Sequence, residues 1–238
     1  FNKLKITKLK SSQHNAECEN MEKLVSNILN TASVNDYILA RTGMEYAVNL
    51  IEQAIKKSKL SFDNLSILEF GAGTCKLSAV ISKLFNVKEI VCVDHAEKLL
   101  TEIAPRVISL IGGDLSKFEF KVGDMNDAPK MDRKFNVIIC YGAVHHLYLP
   151  EFFFSQINNI LYKDSKILIL DEPTIPNIGV LPGSSANKYL NQHYAKRYKG
   201  ENENIYSIKQ YHKIFGNKFN SKLIHTTKYS HLNPYIPW

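Results

Sequence analysis

Three acidic residues and two glycines are spaced so that they could act on one ligand. Glu69 closes the run Ser66-Ile67-Leu68 and is followed by Gly71-Ala72-Gly73. Asp94 closes Ile90-Val91-Cys92-Val93, and Asp124 follows Val122-Gly123 with Met125 beside it. The glycines let the backbone bend sharply and leave room for a ligand to come close. An acid at Glu69 repels a pyrophosphate but accepts hydrogen bonds from an ammonium or a hydroxyl. Asp94 lies 21 residues after Gly73, a spacing from which a carboxylate can accept both hydroxyls of a ribose. His95 stands next to it on the same rim. Asp124 can accept from an adenine amino group while the Met125 N–H donates to the ring. The set suits a nucleoside with a cationic or amino-bearing tail and no phosphates. The alternative is that these acids cap helices and end strands. The turn reads G-x-G-T, with Lys76 three residues after Gly73, and so departs from the G-x-G-x-x-G of a dinucleotide site.

A second group could act on an acceptor. Tyr141-Gly142 and the pair His145-His146 follow the fourth apolar run, and Asp171-Glu172 follow the fifth. Histidine titrates near neutrality, so His146 or His145 could serve as a general base; otherwise they bind substrate or shape the loop. Glu172 could hold an amine acceptor, could bind a divalent ion together with Asp171, or could simply finish its strand. Tyr189, Tyr194, Tyr198, Tyr206 and Tyr211 recur further on, with His193, Lys196 and Arg197 among them. Tyrosines of this kind suit a pocket for a flat or amphipathic molecule, with Arg197 facing an acceptor carboxylate or phosphate, or they pack a cover over the core. The histidines show no recognised ligand spacing, so no metal is expected.

These residues need a scaffold that brings them to one edge. Apolar runs at 66–70, 89–93, 117–122, 135–140 and 166–170 predict buried strands. Helical patterns at 75–85, about 96–100 and 151–161 alternate with them, and Pro105 leaves 101–111 undecided. Such an alternation predicts a doubly wound, mostly parallel sheet in a three-layer α/β/α arrangement, with right-handed crossovers. Every residue named above then falls at a carboxyl end of a strand, where ligands of open α/β sheets bind. Residues 1–64 read as an N-terminal segment with two lid helices, one over 19–29 and a stronger one after Asn35-Asp36. Residues 65–238 read as the core, interrupted at about 174–206 by a Pro, Gly, Asn and Tyr-rich lid insertion with a helix near 186–198. A helix at 207–215 and a strand at 223–229 complete the expectation.

Length and composition set the outer bounds. A chain of 238 residues with 45% hydrophobic content supports one substantial core. No run of eighteen apolar residues is present, which argues against a membrane-spanning helix. Cys18, Cys75, Cys92 and Cys140 are widely spaced and fit buried thiols in a reducing, cytoplasmic setting better than a disulfide framework. The net charge of +7 is spread over scattered lysines rather than gathered with exposed aromatics, which makes nucleic acid a less favoured partner than a small-molecule acceptor. The start at Phe1 suggests that the chain is part of a longer polypeptide.

The spaced segments ILEFGAGTCKLS, VCVDHA, VGDMND, FNVIICYGAVHHL and ILYKDSKILILDEP resemble the signature motifs of the class I S-adenosylmethionine-dependent methyltransferases, small-molecule type, over residues 65–172. The resemblance implies a seven-stranded sheet whose last strand is antiparallel and lies beside the sixth. After 223–229 only 231–238 remain, broken by Pro234 and Pro237, so that strand is either short or supplied by a continuing chain. It also implies that Glu69, Gly71, Ala72 and Gly73 hold the methionine part of S-adenosylmethionine, that Asp94 and His95 lie at the ribose, that Asp124 and Met125 meet adenine, and that Tyr141 borders the cofactor. A sulfonium methyl is already electrophilic, so the protein need only align an acceptor and, for oxygen, remove a proton. No Asn/Asp-Pro-Pro-Tyr/Phe and no Pro-Cys follows the fourth run, unlike enzymes that methylate base amino groups or cytosine carbon. The expected activity is methyl transfer to an oxygen or nitrogen of a small, specialised-metabolite acceptor, giving S-adenosylhomocysteine. RNA methylation, or a non-catalytic methyltransferase-like domain of a larger assembly, stands as the alternative.

Overall fold

A computed structural model describes residues 5–8, 19, 23, 26, 60–126, 131–175, 204–215 and 219. Among them, six strands form one parallel sheet: β1 (Lys5–Lys8), β2 (Ser66–Phe70), β3 (Glu89–Asp94), β4 (Phe118–Val122), β5 (Phe135–Tyr141) and β6 (Leu161–Leu170), in the order β1-β4-β3-β2-β5-β6. The chain runs outward from β2 through β3 to β4, then returns to the other side of β2 for β5 and β6. The winding therefore reverses between β2 and β5, where a crevice opens beyond the strand ends.

Alternation along β2 shows why the sheet is covered on both faces. Ile67 lies in one core with Val80, Cys92 and Val107, while Leu68 and Phe70 lie in the other with Val93, Phe153 and Ile157. The first face is covered by α1 (Lys76–Leu84) and α2 (Ala104–Ile111), which pack against each other. The second is covered by α3 (Pro150–Ile157) and α4 (Ile208–Phe215), with Phe154 edge-on to Phe215 at 5.1 Å between centroids. Full burial of five successive residues in β2 is what a central parallel strand requires.

The structure settles or changes several of the sequence expectations. The region left undecided by Pro105 is helical: Pro105 stands in the first turn of α2, and a π-helical turn over Leu99–Ile103 leads directly into it. The helix expected to reach residue 161 ends at Ile157 and tightens into a 3-10 turn, so β6 begins at Leu161 instead of 166. Leu161 pairs with Phe135, and the register then shifts before Lys166 pairs with Val137. The sheet of the described residues has six strands, of which the unforeseen one is β1, parallel to β4 at the far edge. The strand expected at 223–229 lies outside the described residues, as do the lid helices apart from Glu19, Lys23 and Ser26, which are helical. A short parallel pair, β7 (Thr174–Ile175) with β8 (Tyr206–Ser207), joins the two flanks of the segment between them. Among the described residues no helix is long and apolar enough to cross a membrane.

Candidate functional site

The turn after β2 is built from backbone conformations that favour glycine. Gly71 has φ +63° and Gly73 φ +52°. A Cβ on Gly71 would come within 2.6 Å of the Ala143 Cβ from the loop after β5, whereas one on Gly73 would meet nothing within 4 Å. Gly71 is thus a packing glycine at the reversal point, and Gly73 faces open space. Ala72 is buried between them; its N–H donates to the Val93 carbonyl and its own carbonyl accepts from the Cys75 N–H. The same device repeats across the rim: the Gly123 N–H donates to the Asp94 carbonyl and the Gly142 N–H to that of Leu170. The loops after β2, β4 and β5 are therefore each laced to a carbonyl at or next to the end of a neighbouring strand.

Asp94 stands at the end of β3 with its carboxylate already engaged. One oxygen accepts from the Gly73 N–H at 2.8 Å and the other from the Ala96 N–H at 2.9 Å. The acid on β3 thereby fixes the glycine turn of β2. Each oxygen keeps a further lone pair for a hydroxyl donor. His95 follows, with Nδ1 3.9 Å from Asp94 Oδ1 and its side chain partly exposed. Asp124 folds its carboxylate onto its own loop, accepting from the Asn126 N–H and side-chain amide, and Met125 packs on the second core. The Asn126 side-chain oxygen in turn accepts from the Tyr148 N–H, joining this loop to the one after β5.

Glu69 is placed differently from a residue lining an open crevice. It is 2% exposed and turned under α1, where it accepts a hydrogen bond from the Ser78 hydroxyl. Desolvation by burial pushes its carboxyl up to about 7, against the lowering effect of Ser78, while the nearby negative Asp94 pushes in the same direction as burial. Lys76, in the first turn of α1, places its ammonium 5.0 Å from the centre of the Tyr141 ring. That contact brings a cation to the gap between β2 and β5. Burial likewise pushes the thiols of Cys75, Cys92 and Cys140 up, so they are inert packing groups at neutral pH.

The other half of the site is organised by one carboxylate. Glu172, at the end of β6, has a side chain only 5% exposed. Its Oε1 accepts from the N–H groups of Ala143 and Val144, both at 2.8 Å, and its Oε2 accepts from the His145 N–H at 3.2 Å. Oε2 also lies 2.8 Å from His145 Nδ1 and receives the Tyr211 hydroxyl at 3.4 Å. Three consecutive backbone donors and a ring nitrogen thus converge on Glu172, which leaves it as an organiser of the loop instead of a group held out toward an acceptor. The His145 and His146 rings lie 4.0 Å apart, tilted by 40°. Asn204, where the chain returns to β8, donates to the carbonyls of His145 and Leu147.

The structure thus brings Gly71, Gly73, Asp94, Tyr141, His145 and Glu172 to one rim of the sheet. Tyr189, Tyr194, Tyr198 and Arg197 lie outside the described residues. Sequence reading did not single out Ser78 or Asn204. Ser78 follows Glu69 by nine residues with no motif to mark it, and Asn204 reaches its partner across 59 residues.

Comparison with known proteins adds a domain match and a set of similar folds. Residues 67–164 match the family model described as "Methyltransferase domain". No curated protein matches the chain. Among solved structures, the YcgJ protein from Bacillus subtilis is similar at 19% identity with a TM-score of 0.54, over 72% of this chain and 66% of that one. A putative methyltransferase from Bacillus halodurans is similar at 21% identity with a TM-score of 0.52, over 68% and 65% of the two chains. A putative O-methyltransferase from Nostoc punctiforme is similar at 17% identity with a TM-score of 0.58, over 87% of this chain and 64% of that one. The chain thus spans just under two thirds of the length of each of these structures.

Proposed function

We propose that the chain carries a class I S-adenosylmethionine-dependent methyltransferase domain and transfers a methyl group to an oxygen or nitrogen of a small-molecule acceptor, with His145 as general base. The observation that carries the acceptor half of this reading is the 2.8 Å contact between Glu172 Oε2 and His145 Nδ1 at the rim of the glycine turn. A carboxylate oxygen can only accept, so Nδ1 carries the hydrogen and Nε2 is left as the basic nitrogen. His146, the other candidate, is the ring against which His145 packs.

The residues at β2 and β3 fit the cofactor. The open face of Gly73 gives backbone access, and Asp94 retains one lone pair on each oxygen for the two ribose hydroxyls. Asp124 and Met125 border the adenine position, with the second Asp124 oxygen left for an amino group. Tyr141 and Lys76 bound the gap nearest the methionine part. Glu69 supports the turn from below through Ser78. S-adenosylmethionine, when bound, supplies the electrophilic methyl group. The chain's own residues orient the acceptor, and His145 removes the proton that an oxygen acceptor must lose.

The first experiment is calorimetric titration of the protein with S-adenosylmethionine and, separately, with NAD. Micromolar binding of the sulfonium nucleoside alone supports the reading and leads to a small-molecule acceptor screen. Binding of neither nucleotide, or of NAD alone, overturns it. Turnover on RNA without turnover on any small acceptor would replace the acceptor class.

A further inference from the structure

His145 and Glu172 are 27 residues apart and come from different strand ends, so their contact depends on how the loop after β5 is held. Glu172 holds that loop at its beginning, through the N–H groups of Ala143 and Val144. Its far end is held from elsewhere. The Asn204 side-chain amide donates to the His145 carbonyl at 2.9 Å and to the Leu147 carbonyl at 3.1 Å, and the Asn204 backbone N–H donates to the His145 carbonyl at 2.9 Å. The 3-10 turn of Val144–His146 makes two backbone hydrogen bonds of its own, from the His146 N–H to Ala143 and from the Leu147 N–H to Val144, and neither uses the carbonyls of His145 or Leu147. Two carbonyls that this short turn leaves without intrahelical partners are therefore taken by one side chain.

Asn204 is tied in turn to Glu172. It stands two residues before β8, whose pairing with β7 joins it to the chain that leaves Glu172. Tyr211, one turn into α4, packs its ring edge-on to Tyr206 at 5.4 Å and donates its hydroxyl to Glu172 Oε2 and to the Pro173 carbonyl. The loop bearing His145 is thus fixed from both sides by residues that flank one small sheet.

We infer that Asn204 is a positioning residue for the reaction: it holds the 145–147 turn so that Glu172 fixes the His145 ring as the Nδ1–H tautomer, with Nε2 as the basic nitrogen. The inference rests on the reading of His145 as the base. Asn204 touches neither cofactor nor acceptor in this role. It acts through the backbone that carries the imidazole, as residues behind a metal-ligating or catalytic histidine set its tautomer and ring orientation.

The test reads the tautomer directly and needs no acceptor. Long-range proton–nitrogen spectra of the nitrogen-15-labelled full chain at pH 8, with the His145 signals assigned by loss in His145→Gln, are compared with those of Asn204→Ala. The expected result is a single Nδ1–H form in the natural chain and loss of that preference in Asn204→Ala, with the thermal midpoint and S-adenosylmethionine binding retained. Asn204→Asp keeps the backbone N–H and the side-chain shape but turns an acceptor toward two carbonyls, and it carries the same expectation should the alanine variant not fold. Tyr211→Phe, which removes a single donor from Glu172, is expected to leave the Nδ1–H form in place. An unchanged His145 tautomer in a folded Asn204 variant overturns the inference. Failure of the natural chain to bind S-adenosylmethionine overturns the functional reading instead, and the two failures are told apart because the spectra are recorded without ligand.

Discussion

Gly71 and Ala143 meet at the point where the sheet's winding reverses, so closely that a methyl group on the first would lie 2.6 Å from the Cβ of the second. Gly71 also has φ +63°, which an L side chain adopts only at a cost of about 1–2 kcal/mol. Gly71→Ala should therefore destabilise the fold by about 2–4 kcal/mol, adding the overlap to the backbone cost. Ala143→Gly in the same chain should recover the overlap part and leave the backbone part. Urea unfolding of the two variants measures both. A Gly71→Ala protein as stable as the natural one would show that the two loops are not in contact.

Glu69 makes stability depend on pH. Its carboxyl is raised from 4.5 to about 7 in the folded chain by burial, so between those values the native state binds the proton that the unfolded state releases. Stability from this group is complete below pH 4.5 and falls by about 3 kcal/mol as pH rises through 7. Glu69→Gln keeps the shape and a partner for Ser78 but cannot ionise. The difference in stability between variant and natural chain should grow in favour of the variant from pH 5 to pH 8. Parallel curves across that range would refute the assignment.

Asp94 has a structural duty that can be measured without any ligand. Asp94→Ala removes the acceptor of the Gly73 and Ala96 N–H groups and should cost about 2–3 kcal/mol in unfolding free energy. The same variant should weaken S-adenosylmethionine binding at least about tenfold, the loss of one to two hydrogen bonds to a charged group. Calorimetry and denaturation together separate the duties. Unchanged affinity would remove Asp94 from the cofactor site, and unchanged stability would mean that the turn holds itself.

Glu172→Gln replaces one accepting oxygen with an amide that donates. Since every group around that carboxylate is itself a donor, one contact becomes a clash of hydrogens whichever way the amide turns. Turnover should fall by about 10²-fold or more through the lost orientation of His145, with cofactor affinity retained. Retained turnover with an oxygen acceptor would show that His145 is not the base.

The central strands were legible because burial on both faces demands near-continuous apolar runs, and β2, β3 and β5 have them. Asp94 and the glycine turn were legible for a related reason: strand ends of this topology converge, so spacing along the chain becomes proximity in space. Glu172 was visible as a strand-end acid, but its partners were not, because three backbone N–H groups leave no mark on sequence. The helix behind Pro105 was obscured by a residue that stops helices in their middle and suits them at their start. β1 was missed because Lys5-Ile6-Thr7-Lys8 gives only one apolar side chain, and an edge strand needs little more when its partner supplies the hydrogen bonds.

That edge strand has a consequence for how the molecule assembles. Lys5 pairs with Glu119, more than a hundred residues away, whereas β2, β3 and β4 follow one another closely. Closing so large a loop for four residue pairs is entropically the least rewarding step in the sheet, so it belongs late in folding. Until then β4 presents a bare row of N–H and C=O groups to any extended chain that passes. β1 is in that sense a stopper carried by the molecule itself. A chain shortened past Lys8 should keep its ligand crevice on the far side of β3 and yet be prone to stick to its own copies.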